Sequence, residues 1–125
     1  MDREQPTVLV VEDTRDVREV LVQLLRRNGC ATLVAANGRE ALELLSAELP
    51  DLVLMDLSMP VLDGWDALTA IRQLPGRDRL PVVAVTVHAT SHDRERALSH
   101  GFNAYVSKPL DFRQFLDVVH GFLRR

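Results

Sequence analysis

Cysteine is almost absent from this chain, since Cys30 is the single cysteine among 125 residues. One cysteine excludes an internal disulfide, which fits a reducing cytosol. Unpaired cysteines are often buried, and Cys30 lies beside an apolar strand candidate. We therefore expect Cys30 to fill space in the core rather than to act in redox chemistry.

Long apolar runs, basic tracts, internal repeats and low-complexity segments are also lacking. No run reaches the roughly 18–20 apolar residues of a membrane span, and residues 1–6 are polar and acidic, unlike a signal peptide. A net charge of -3 does not indicate a nucleic-acid-binding surface. We expect a cytoplasmic protein that contacts neither membrane nor nucleic acid directly.

The size of the chain suits a single domain with one core. Hydrophobic residues make up 46% and charged residues 26%, which is typical of a globular protein. We expect residues 1–125 to form one domain, with its core at about residues 7–123 and no output domain after the last helix.

Reactive side chains follow four short apolar runs. Such uninterrupted runs are typical of strands buried on both faces of a parallel sheet, whose carboxyl ends bind ligands. Runs 8–11, 52–55, 82–85 and 104–106 lead to Glu12 and Asp13, Asp56, Thr86 and Lys108, respectively. Packing alone does not explain acids, a hydroxyl and a lysine at one sheet edge.

Helical spacing of apolar residues separates these strands and a weaker one at Ala31–Ala35. The predicted helices follow Asp13, Asn37, Gly64, Ser91 and Asp111; Asn37 and Ser91 are predicted N-caps, and Asn37–Glu40 and Asp111–Gln114 resemble capping boxes. Five alternations predict a doubly wound α/β fold, in which helices cover both faces of a parallel sheet.

Glu12, Asp13 and Asp56 are expected to converge. Carboxylates that close repel each other and raise one another's pKa, so a bound cation would stabilise the cluster. Oxygen-only ligands in an open site suit Mg²⁺. Glu12-Asp13 alone could instead be acids favoured at a helix N-terminus, but Asp56 on the adjacent strand favours the metal interpretation.

Asp56 could be a nucleophile, a metal ligand or a strand-end cap. A carboxylate can attack phosphorus, and phosphoryl transfer needs positioning and neutralisation of charge. Lys108 would add a positive charge, and the Thr86 hydroxyl would donate to a phosphoryl oxygen. Each alone is better explained as a surface lysine or a strand-end hydroxyl. Together they favour a phosphoryl-transfer site.

Several motifs, in this order, resemble the receiver domain of two-component response regulators, in its single-domain, chemotaxis-regulator-like form. The resemblance runs from about Thr7 to Leu123. The motifs are VVED at 10–13, MDLSMP at 55–60, DG at 63–64, TVHA at 86–89 and GFNAYVSKP at 101–109. The resemblance implies a flavodoxin-like sheet in strand order 2-1-3-4-5 and a cis Lys108-Pro109 bond.

The resemblance also implies a role for each site residue. Asp56 would accept a phosphoryl group from a histidine kinase or phosphotransfer protein. Asp13, Asp56 and the Ser58 carbonyl would bind Mg²⁺, with Glu12 acting through a water. Phosphorylation would draw Thr86 inward and let Tyr105 rotate from an exposed to a buried position. The domain would catalyse only its own phosphorylation and slow self-dephosphorylation.

The fourth helix, fifth strand and last helix would then bind a downstream protein target, or form a phosphorylation-dependent dimer. Charged residues there are candidate contacts or simply a solvated face: Arg94, Arg96, Arg113 and Asp117. The four histidines, at 88, 92, 100 and 120, are expected at the surface. Val87 replaces the Ala or Gly common in the family, so we expect slower self-dephosphorylation.

Three alternative functions make different demands on the sequence. A flavodoxin-like electron carrier would need a hydroxyl- and glycine-rich loop where Glu12-Asp13 stands. A phosphatase of the haloacid dehalogenase type would need a second Asp where Ser58 stands. A pseudo-receiver, a docking module that is never phosphorylated, is opposed by the intact acids, Thr86 and Lys108.

Overall fold

The computed structural model describes residues 5–59, 61–87 and 90–123. In this part of the chain strands and helices alternate strictly, as the apolar spacing predicted. The elements are β1 (Thr7–Val11), α1 (Arg15–Arg27), β2 (Ala31–Ala35), α2 (Gly38–Ala47), β3 (Leu52–Met55), α3 (Gly64–Gln73), β4 (Val82–Thr86), α4 (Ser91–His100), β5 (Ala104–Ser107) and α5 (Phe112–Leu123).

The five strands form one parallel sheet in the order β2-β1-β3-β4-β5, which confirms the predicted topology. Each strand buries alternate side chains on opposite faces, because successive side chains of a strand point in opposite directions. On β1, Val8 and Val10 belong to the layer under α1 and α5, whereas Leu9 and Val11 belong to the layer under α2, α3 and α4. The sheet is therefore covered on both faces, and polar groups are left to its edges.

The helix starts follow the predicted capping chemistry with one correction. Asn37 Oδ1 accepts a hydrogen bond from Glu40 N at 2.9 Å, which confirms the N-cap of α2. The N-cap of α4 is Thr90 rather than Ser91, since Thr90 Oγ1 accepts from Asp93 N at 3.0 Å. Thr90 and Ser91 both carry a hydroxyl group that can cap a helix, so the sequence did not distinguish them. In the structure the helix begins at Ser91, which makes Thr90 the cap.

Several predictions about single residues can also be compared with the structure. Cys30 is buried in the core, as predicted. The Lys108-Pro109 bond is cis. Strand β5 begins at Ala104, where the apolar run 104–106 begins, and just before it Asn103 Oδ1 accepts from Val82 N at 2.9 Å. The expectation for His88 lies outside the described residues.

None of the helices in the described ranges is long and apolar enough to cross a lipid bilayer.

Candidate functional site

The acidic residues meet at the carboxyl ends of the adjacent strands β1 and β3. Asp56 N donates to Val11 O at 3.0 Å, and this bond continues the β1–β3 pairing beyond the strands. Glu12 and Asp56 are 2% and 6% exposed, whereas Asp13 lies exposed at the rim. One carboxylate oxygen from each of the three lies within 4.8 Å of the others. The predicted convergence is confirmed.

Lys108 reaches this cluster from the far end of β5. Its backbone N–H donates to Thr86 O at 2.7 Å, which holds the residue beside β4. Its Nζ lies 2.8 Å from Glu12 Oε1 and 3.6 Å from Asp56 Oδ2. Lys108 is also the only lysine in the chain, all other basic side chains apart from histidine being arginine. Of the two acids, Glu12 is the nearer partner of Lys108, and the sequence did not indicate this pairing.

The electrostatics of Glu12 reflect competing effects. Burial raises the pKa of Glu12 above its ordinary 4.5, the Lys108 hydrogen bond lowers it, and the neighbouring charge of Asp56 raises it again. The net effect is a raised pKa of Glu12, because burial and the charge of Asp56 together outweigh the effect of Lys108.

The donor set fits Mg²⁺. The cluster offers only carboxylate oxygens, and exposed Asp13 leaves the site open to water. Mg²⁺ prefers oxygen ligands and keeps several waters in its coordination shell. Glu12 is already bound to Lys108 and to Thr14 N, the latter at 3.2 Å, which leaves Asp13 and Asp56 as the more available carboxylates.

The loop after β3 is packed tightly against Asp56. Ser58 N donates to Asp56 Oδ1 at 3.2 Å, and the Ser58 side chain is exposed. Gly64 N donates to Leu57 O at 3.1 Å, and a Cβ at Gly64 would overlap the carbonyl oxygen of Asp56. Glycine is needed at position 64 because two backbone segments approach there.

The predicted switch residues occupy neighbouring strands. Thr86 is completely buried at the end of β4, and Tyr105 lies on β5 two residues before the partner of Thr86. The Tyr105 ring packs against the core, and its hydroxyl is buried without a hydrogen-bond partner among the described residues. Burial also raises the pKa of Tyr105. The hydroxyl is thus already buried, whereas the resemblance to receiver domains implied an exposed position before phosphorylation.

The sequence did not predict two sets of contacts. Arg18 on α1 donates from Nη1 to Glu12 O at 2.8 Å. An aromatic cluster joins α3 to the end of α4 and to the loop before β5, and in it the Trp65 ring lies 5.3 Å from His100 and 5.7 Å from Phe102. His100 Nε2 also lies 3.0 Å from Trp65 O. Only the position of Arg18, one turn into the helix that follows the acids, could have suggested its contact.

The remaining surface predictions are mixed. Arg94, Arg96, Arg113 and Asp117 are all exposed, but the Arg96 guanidinium lies 4.8 Å above the Trp65 ring. His92 and His100 are exposed, and His120 is half-buried. Val87 is 65% exposed directly after β4.

Comparison with known proteins identifies the family. Residues 8–120 match the response regulator receiver domain. The chain is 41% identical over 115 residues to an uncharacterised 14.6 kDa protein of Leptolyngbya boryana, covering 92% of this chain and 88% of the relative. It is 32% identical over 117 residues to the polar-differentiation response regulator DivK of Brucella anthropi, covering 94% and 95%.

A solved structure shows the same fold. The receiver domain of a sensor histidine kinase from Pseudomonas aeruginosa, with a magnesium ion coordinated in its active-site cleft, superimposes with a TM-score of 0.89. The two are 30% identical, covering 97% of this chain and 99% of that one. The present chain belongs to the response regulator receiver domain family of two-component systems. This decides against the electron-carrier and phosphatase interpretations. A pseudo-receiver belongs to the same family.

Proposed function

We propose that Asp56 accepts a phosphoryl group from the phosphohistidine of a histidine kinase or phosphotransfer protein. The observation that carries the proposal is the placement of Asp56, buried at the end of β3 with Glu12 and Asp13 beside it and Lys108 Nζ at 3.6 Å. The Asp56 carboxylate therefore lies between two acids that can bind a cation and an ammonium group that can neutralise phosphoryl oxygens. Receiver domains interact with such donors and with downstream targets.

In the transfer, an Asp56 carboxylate oxygen forms a bond to phosphorus as the bond between phosphorus and the donor imidazole nitrogen breaks. The nitrogen keeps the electron pair, and the product is an acyl phosphate. Asp13, Asp56 and the Ser58 carbonyl would hold a magnesium ion, with Glu12 acting through a water, and the ion would supply positive charge near the phosphoryl oxygens. Lys108 supplies a second positive charge, and the Thr86 hydroxyl donates to a phosphoryl oxygen.

The signal would leave the site through Thr86 and Tyr105. A phosphoryl group adds roughly 1.5 to 2 negative charges, which transmit a signal only by favouring one of two states of the protein. The output face consists of α4, β5 and α5, and Tyr105 lines a cavity of about 180 Å³ on it. We propose that this face binds a downstream protein or a second receiver in the cytoplasm.

Incubation with acetyl phosphate and magnesium tests the proposal. The wild-type protein should gain the mass of one phosphoryl group on Asp56, with a change in Trp65 fluorescence, and Asp56→Asn should gain none. Asp66→Asn, which changes an exposed acid on α3, is the matched control and should be labelled like the wild type. If the wild type gains no mass under these conditions, a non-phosphorylated docking module becomes the better explanation.

A further inference from the structure

The backbone between Glu12 and Asp13 is held by a side chain from the next helix. Arg18 Nη1 donates to Glu12 O at 2.8 Å. On the other side, Glu12 N donates to Ala35 O at 3.0 Å, so the residue is also fixed to β2. The Glu12 carboxylate accepts from Thr14 N at 3.2 Å. Glu12 is therefore anchored through its N–H, its carbonyl and its side chain.

Asp13 has no comparable support. Its exposed side chain makes no hydrogen bond or ion pair with any residue in the ranges 5–59, 61–87 and 90–123. The backbone is consequently what restrains the position of its carboxylate, together with the rotamers open to an aspartate side chain. Because a peptide unit is planar, the Glu12 carbonyl and the Asp13 nitrogen share one plane. A group that fixes the carbonyl oxygen of Glu12 therefore also fixes the orientation of the peptide bond that leads into Asp13.

Arg18 is suited to this task. It lies in the first turn of α1, where its N–H donates to Thr14 O at 2.9 Å, and its side chain is half-buried. It takes part in none of the ion pairs found among the described residues. Its charge is available to strengthen the hydrogen bond to Glu12 O. Arg15, three residues earlier, is instead exposed and paired with Glu19 at 3.2 Å.

We infer that Arg18 is a positioning residue, which holds the Glu12–Asp13 peptide so that Asp13 is oriented to bind the divalent cation. The inference rests on the proposed function, because it concerns the magnesium site of that function. Removing a group that orients a metal ligand typically lowers metal affinity by about 10–100-fold. Arg18 acts here through a backbone oxygen and touches neither phosphorus nor metal.

Magnesium titration of the unphosphorylated protein tests the inference, with calorimetry and Trp65 fluorescence as readouts. Arg18→Met should weaken Mg²⁺ binding about tenfold, at the lower end of the range for such groups. Arg18→Lys, which keeps a charged donor, should weaken it less. Arg15→Met removes the same charge from the same turn without touching Glu12, and should bind Mg²⁺ like the wild type. At saturating magnesium, Arg18→Met should be phosphorylated by acetyl phosphate at nearly the wild-type rate.

Two results would overturn the inference. Unchanged magnesium affinity in Arg18→Met, even with a lower melting temperature, would show that Arg18 only stabilises the fold. Equal weakening in Arg15→Met would show that the effect does not depend on the contact with Glu12, because the loss of a nearby cation by itself should favour Mg²⁺ binding. If Arg18→Met does not fold, the comparison of Arg18→Lys with Arg15→Met decides in the same way. A wild type that binds magnesium but is never phosphorylated would refute the proposed function and leave this inference standing.

Discussion

Lys108 compensates two buried acids, so its removal should destabilise the metal-free protein. Lys108→Met keeps most of the aliphatic stem and removes the charge that lies 2.8 Å from Glu12 and 3.6 Å from Asp56. Breaking a fully buried ion pair on one side costs about 3–5 kcal/mol. Because the Lys108 side chain is 17% exposed and water reaches it, we expect a loss of about 2 kcal/mol at neutral pH, or about 8 °C in melting temperature for a chain of this length.

The loss should depend on pH in a defined direction. A carboxyl group whose pKa is raised by folding opposes folding while it is ionised, and this opposition disappears as the pH falls through that raised value. The pKa of Glu12 is already raised above 4.5 in the wild type, mainly by burial, and Lys108→Met removes the hydrogen bond that lowers it. The variant should therefore be most destabilised at about pH 7.5 and approach the wild type towards about pH 5.

Urea unfolding in the presence of a chelator, at both pH values, measures the effect. The double variant Lys108→Met/Glu12→Gln should recover much of the lost stability, since it leaves no buried charge at position 12. Arg113→Met, the loss of an exposed cation on α5, should change little at either pH. The reasoning is refuted if Lys108→Met loses the same stability at both pH values and the double variant recovers nothing.

Four further substitutions test local features of the structure. Gly64→Ala should lower both stability and phosphorylation, because the added methyl group would displace the Asp56 carbonyl. Gly121 on α5 faces open space, so Gly121→Ala should instead stabilise the protein by about 0.5–1 kcal/mol in thermal unfolding. Val61→Gly should raise the free energy of unfolding by about 1 kcal/mol, because Val61 has φ 74° and is 70% exposed, and a lower urea midpoint would contradict this. Val87→Ala should shorten the phosphoryl half-life if this exposed side chain hinders water, and an unchanged or longer half-life would contradict it.

Much of the fold could be read from local pattern. A strand buried on both faces has to be apolar throughout, so residues 52–55 identified β3 to the residue. The same logic identified the acids and the hydroxyl that follow these strands. The alternation of strand and helix then made the sheet parallel, and parallel strands bring their carboxyl ends to one edge. The convergence of Glu12, Asp13 and Asp56 also requires β1 and β3 to be neighbours, which the resemblance to receiver domains implied.

The partnerships within the site depended instead on packing. Lys108 and Glu12 are 96 residues apart, and nothing in either neighbourhood indicates that this pair is closer than Lys108 and Asp56. The bond from Arg18 to the Glu12 carbonyl depends on how α1 leaves β1, and the buried Tyr105 hydroxyl on how β5 meets the core. Periodicity in a sequence reports which side of an element is apolar. It does not report differences of about an ångström in the distances between side chains of different elements. Those distances depend on how each helix packs against the sheet.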